Sequence, residues 1–354
     1  DKGHIWGRAP NPDGTFMGAL STVAADRQAN WTTEDVRARM EFGLRCAWAH
    51  GTRAIRTHLD SLPPQDGITW PVFAELRDAW AGRIDLQGAC LAGIDAVDPS
   101  GDFARTADTV AETGGVLGMV TYPVDDLQEK LDGFFALAEA RGLEVDFHVD
   151  ETLDAGAETL RAIARTVIDR GFDRPVTVGH CCSLSAQDEA RALDTLDMVA
   201  EAGLTVVSLP MCNLYLQDRH AGRTPRMRGI TLVHEMRARG IAVSFASDNT
   251  RDPFYAYGDL DMLEVLRQAV RIGHLDHSEP DWVQAVLGAP ARAMSLDAPS
   301  LTPGAPADLV IYRARSWTEL FARPQSDRVV LREGRAIDRT LPDYSELDHL
   351  MRTP

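Results

Sequence analysis

Short apolar runs alternate with longer amphipathic stretches along most of this chain. Seven runs read as strands: residues 52–60, 84–91, 116–122, 145–151, 176–182, 204–210 and 241–249. They are short, carry many β-branched residues, and end in polar or turn-forming residues. The stretches between them repeat apolar residues at helical spacing. The helix predicted over 32–51 opens on Thr32 with Asp35 three residues on, and it stops at Gly51. That is a capping-box-like start and a glycine stop. The segments 131–142 and 231–240 also end in glycine.

Strand–helix units in regular succession predict a parallel sheet covered by helices. A doubly wound nucleotide-binding sheet would need a G-x-G-x-x-G turn after its first strand, and the chain contains none. Polar residues gather instead at the C-terminal ends of several strands: His58 and Asp60, His148 and Glu151, His180, and Asp248 with Asn249. Functional residues at that end are the mark of a (β/α)8 barrel. The fold class expected is therefore α/β, a TIM-type barrel, with one strand short of eight. Residues 1–299 are assigned to the barrel. Residues 300–354, with strand patterns at 305–314 and 327–337, are assigned to a small β-rich appendage.

Composition narrows the partners. The chain has 354 residues, 44% hydrophobic and 25% charged, as an ordinary globular enzyme does. Its net charge of −17 argues against nucleic acid as the main partner, because phosphate binding wants a basic face. No run is long and apolar enough for a membrane span. The 5 cysteines are odd in number and contain no C-x-x-C pair, which fits a reducing cytoplasm better than a disulfide framework. The adjacent Cys181 and Cys182 read as packing residues.

The stretch Glu144 to Glu151, EVDFHVDE, carries the sharpest chemical signal. Val145, Phe147 and Val149 share one face, while Asp146, His148 and Asp150 share the other. In 241–249 the larger residues Ile241, Val243 and Phe245 alternate with Ala242, Ser244, Ala246 and Asp248. Both patterns aim a small or polar face into a barrel and leave His148 and Asp248 at its rim. An inward histidine and aspartate suit a divalent metal, with His180 a third ligand or a supporting donor. A lone histidine at a strand end is usually a hydrogen-bonded structural residue, so the signal lies in three strand ends coinciding. Arg56, on the inward face with His58, reads as either an internal ion pair or a substrate contact. The pair His274 and His277 reads as part of a solvated turn.

The strings RTHLD, IDLQ, FHVDE, GHCCS, NLYLQDR, PRMRGIT, ASDNTRDPF and GDLDML, in this order, resemble the amidohydrolase superfamily and its cytosine deaminase group. The resemblance covers most of the chain. It implies one divalent ion, zinc or iron, held by His148, His180 and Asp248. It implies that Glu151 shuttles a proton to a ring nitrogen, that His180 holds or ligates the attacking hydroxide, and that Asp248 takes the proton of the attacking water. Gln217 would border the pocket, with Asn249, Gly93 and Arg56 as further substrate-side positions. The family also implies a homo-oligomer acting on a small heterocycle.

Two departures are legible. The family's first strand carries H-x-H followed by LDK, and this chain opens DKGHIWGR. That predicts an upstream segment with the first strand, two metal histidines and half of the appendage; His4 lies past the motif and does not replace them. True cytosine deaminases also carry a glutamine where Gly93 stands, and a second aspartate where Asn249 stands. The expected function is metal-dependent hydrolytic deamination of a cytosine-like or other amino-substituted nitrogen heterocycle. The alternatives are hydrolysis of an N-alkylamino-triazine or cyclic amide, and a non-catalytic scaffold.

Overall fold

The computed structural model describes residues 1–277 and 280–351. Seven parallel strands follow one another in sequence and in space. They are β1 (Ala54–Asp60), β2 (Asp85–Leu91), β3 (Leu117–Thr121), β4 (Val145–Val149), β5 (Val176–His180), β6 (Thr205–Ser208) and β7 (Val243–Phe245). β1 pairs with β2, and β3 to β7 form a continuous parallel sheet in chain order. Bridges from Ala89 to Val116 and from Gly93 to Val120 join the two sets. All seven predicted runs contain strands; β1 and β2 lose residues only at their starts, and β3 to β7 stop short of the predicted rim end.

The helices start with α1 (Phe16–Asn30) and α2 (Thr33–His50) ahead of β1. Those between strands are α3 (Asp66–Trp80), α4 (Asp102–Glu112), α5 (Leu127–Arg141), α6 (Thr159–Arg170), α7 (Glu189–Glu201), α8 (Pro210–Leu216) and α9 (Val233–Ala238). After β7 come α10 (Met262–Gly273) and α11 (Gly288–Ala293). No described helix is long and apolar enough to cross a membrane. Thr32 caps α2 by accepting from the Asp35 N–H, and Gly51 ends it in the left-handed conformation at φ 100°. A side chain at Gly51 would also strike Val310, 2.7 Å from where its β-carbon would stand.

Outward faces of the strands build the core. Val145, Phe147 and Val149 are fully buried, and Phe147 packs on Phe134 of α5 with ring centroids 4.8 Å apart. Inside the lower barrel lies a polar layer. Arg56 of β1 donates to Gln87 at 3.1 Å, Asp146 at 3.0 Å, Thr177 at 3.1 Å and Glu144 at 3.1 Å. A buried carboxylate is tolerated only when paired in this way.

The tail forms a three-stranded antiparallel sheet of β8 (Leu309–Ile311), β9 (Val329–Arg332) and β10 (Arg335–Ala336), with β9 central. A short helix, α12 (Trp317–Ala322), sits between β8 and β9. The tail clamps the end of α2: Arg332 donates to Gly51 O at 2.7 Å, and Arg339 donates to Ala49 O at 2.8 Å. Arg328 makes a two-pronged ion pair with Asp261 at 2.7 and 2.6 Å. Residues 352–354, at the end of the expected appendage, lie outside the described residues.

Candidate active site

The polar residues of EVDFHVDE separate into distinct roles. Asp146 belongs to the interior layer, bonded to Arg56 and, at 2.9 Å, to His58. Burial alone would raise its pKa, but His58 and Arg56 hold the carboxyl below the usual carboxylate range. Asp150, already off the strand at φ 46°, caps α6 through the Thr159 and Leu160 N–H groups at 3.1 and 3.0 Å. His148 and Glu151 are left for the rim. Asp150, His180 (φ 67°) and Asp248 (φ 60°) each turn the chain through left-handed backbone at a strand end. Non-glycine residues pay for that conformation, and such strain gathers at functional sites.

Glu151, His180 and Asp248 form one compact group whose ligand-capable atoms lie within 4.8 Å of one another. His148 belongs to a neighbouring group with His58 and Asp146. The His148 and His180 rings stand 5.0 Å apart and join the two. Burial, reinforced by Asp248, pushes the Glu151 carboxyl well above its ordinary pKa. Glu151 is therefore a weaker acid than an exposed glutamate. Burial pushes His148 well below its ordinary value, helped by His58 and His180, and lowers His180 as well.

Asn213 on α8 was not singled out from the sequence, although it stands in NLYLQDR. Its amide donates to Glu151 Oε1 at 3.2 Å and contacts His180 Nδ1 at 3.0 Å. With Nδ1 accepting, neutral His180 carries its ring proton on Nε2. Gln217 donates to the Glu151 backbone oxygen at 3.0 Å, and Asn249 donates to Asp252 Oδ2 at 2.6 Å. A carbonyl and a carboxylate can only accept, so each amide nitrogen spends one of its two N–H donors there and the orientation of both amides is fixed. Each amide keeps its oxygen, an acceptor, and a second N–H for a ligand. Gly229, at φ 69°, leaves room for Gln217, whose Cβ would lie 2.3 Å from a β-carbon at that position.

Gly93 lines the same cavity as His148, Glu151 and Asp248. Arg56 also borders this space, yet its hydrogen bonds tie it into the polar layer, the internal ion pair of its two possible roles. His274 and His277 lie on a turn elsewhere. The cysteines are all buried and unbridged. The cavity, ≈ 2840 Å³, runs from the rim down the barrel to the tail sheet. That exceeds the roughly 300–1,000 Å³ of a small-molecule pocket, and His148, Glu151 and Asp248 stand at its rim end.

Three buried atoms at the rim have no hydrogen-bond partner: His148 Nδ1, His180 Nε2 and Asp248 Oδ2. Leaving a buried polar atom unpaired costs about 1–3 kcal/mol. Three in one place fit a site that takes an ion and a polar ligand. Imidazole and carboxylate are the donors a divalent cation of the zinc or iron type prefers.

A parallel α/β barrel with buried histidines and acids gathered at the C-terminal rim defines a metal-dependent hydrolase. The model of the amidohydrolase family matches residues 91–340, more than half of the chain. The chain belongs to the amidohydrolase family. It is 56% identical over 349 residues to a pterin deaminase of Rhizobium rhizogenes, covering 98% of this chain and 80% of that one. A 5-methylcytosine deaminase structure from Klebsiella pneumoniae superposes with TM-score 0.80 at 25% identity, covering 97% of this chain and 86% of the other. An N-isopropylammelide isopropylaminohydrolase from Burkholderia multivorans gives 0.77 at 25% identity, covering 95% and 83%. The protein is a hydrolase of carbon–nitrogen bonds in cyclic amidines.

Proposed function

We propose that this enzyme deaminates a pterin, replacing the exocyclic amine of the 2-amino-4-oxopteridine ring by oxygen. The observation that carries the reading is the 56% identity to a pterin deaminase over almost the whole chain. Water adds to the ring carbon that bears the amine, the carbon–nitrogen bond breaks, and ammonia leaves. His148 and Asp248 would hold a divalent ion, zinc or iron, which supplies the acidity that lets water ionise near neutral pH.

The chain's own residues handle the protons and the orientation. Glu151 carries the proton that burial and Asp248 keep on it, and gives it to the ring nitrogen beside the reacting carbon. Asp248 accepts one proton of the attacking water, which leaves with the amine, and the second, released from the same oxygen as the carbonyl forms, restores Glu151. His180, its Nε2–H fixed by Asn213 at the other ring nitrogen, donates to the attacking oxygen and holds it on line. Gln217 and Asn249 offer amide oxygens to N–H groups on the heterocycle.

The test is ammonia release by the metal-loaded protein from pterin, cytosine, isocytosine and an N-alkylamino-triazine, with and without chelator. The expected result is release from pterin, with the 2-oxo product appearing and chelator abolishing both. Release from cytosine or from the triazine with none from pterin overturns the substrate assignment.

A further inference from the structure

Gly93 sits in the same register row as His148: it bridges to Val120, and Val120 pairs with His148. Two strand spacings place it about 10 Å across the rim from His148. A β-carbon at Gly93 would stand 2.5 Å from Asp95 Oδ1 and 2.8 Å from the Tyr122 hydroxyl. The space a side chain would fill is thus taken by the Tyr122–Asp95 pair, in which the Tyr122 hydroxyl donates to Asp95 Oδ1.

The pair stands on a firm base. Ile94 is fully buried, and Lys130 of α5 donates to Val97 O at 2.9 Å, pinning the loop to the barrel wall. Tyr122 directly follows β3. Gly93, Asp95 and Tyr122 line the same cavity as His148, Glu151 and Asp248. With the tyrosine proton spent on Oδ1, what the pair offers a ligand is the second carboxylate oxygen of Asp95, an anionic acceptor.

We propose that Asp95, braced by Tyr122 over Gly93, is the specificity-determining residue for the part of the substrate farthest from Glu151: it accepts from an N–H or O–H there and rejects an anionic substituent. The compounds named rest on the pterin reading. With the 2-amino carbon at Glu151, the pyrazine ring and its substituent extend toward Asp95. The favoured substrates are pterins with a neutral, donor-bearing substituent on that ring.

The experiment measures Kd by quenching of pterin fluorescence, and KM by ammonia release, for 6-hydroxymethylpterin and pterin-6-carboxylate. Wild type, Asp95→Asn and Gly93→Ala are compared. Asp95→Asn is expected to weaken 6-hydroxymethylpterin about tenfold, the loss of one hydrogen bond to a charged group. It is expected to tighten pterin-6-carboxylate, because a like charge is gone. Gly93→Ala, which displaces the pair, should move both compounds in the same opposed directions. Shifts of one sign for both compounds, or none, overturn the proposal, since a residue that merely holds the loop cannot separate them by charge. Binding without turnover defeats the deaminase reading alone. Turnover with same-sign shifts defeats this proposal alone, and no binding of either compound defeats both.

Discussion

Replacing Asp252 by asparagine tests how the loop after β7 couples pH, stability and substrate binding. Asp252 is fully buried and accepts from Asn249 at 2.6 Å and from the Phe254 and Tyr255 N–H groups at 2.9 and 3.1 Å. Burial, with Asp248 nearby, outweighs those bonds and raises its pKa from 3.8 to about 6. An acid raised in this way favours folding fully below its unfolded pKa, and that contribution is lost as pH rises through the folded value. At 1.36 kcal/mol per pKa unit the full loss is about 3 kcal/mol, of which about 2 kcal/mol falls between about pH 4.5 and about pH 7.5. Asp252→Asn cannot titrate, so its urea-unfolding free energy relative to wild type should climb by that amount over this range. The same change sets one amide nitrogen against another, so Asn249 turns over and shows the pocket a donor in place of an acceptor. The KM for substrate should then rise roughly tenfold or more, the cost of a mispaired buried polar group. Parallel stability profiles for the two proteins would refute the buried-carboxylate argument, and an unchanged KM would refute the amide lock.

Glu151→Gln should keep its fold and its metal, by elemental analysis, while turnover falls about 10²–10⁴-fold; full turnover would remove Glu151 from the proton path. Asn213→Ala frees His180 Nδ1, and turnover should fall about tenfold or more at unchanged metal content; an unaffected rate would show that the tautomer does not matter. Arg56→Met removes the cation that Asp146 and Glu144 share, leaving buried Asp146 with His58 alone, so unfolding should become about 3 kcal/mol easier. A loss below about 1 kcal/mol would mean that water already screens that layer.

Alternation and turn chemistry act over a few residues, and that is why so much of this protein was legible along the chain. The seven strands, the capped α2 and the inward rim position of His148 follow from local periodicity, and His180 from its place at the end of β5. Asp248 stands in the turn three residues past the end of β7, where alternation no longer applies. Glu151 follows too, once the strand is seen to stop at Val149. Parity did not separate Asp150 from its neighbours, because it caps α6 only after the strand has ended.

What needed the assembled sheet were choices between equivalent readings and meetings between distant segments. Arg56 resolved into an ion pair because β4 and β5 bring Asp146 and Thr177 to it across the interior. Asn213 reached Glu151 and His180 because α8 folds back over the rim. The pairing of Asp95 with Tyr122 depends on β2 and β3 lying side by side. A sequence specifies which side chains point inward. Which inward atoms meet, and so which oxygen or nitrogen is left for a ligand, is decided only when the barrel brings its strands together.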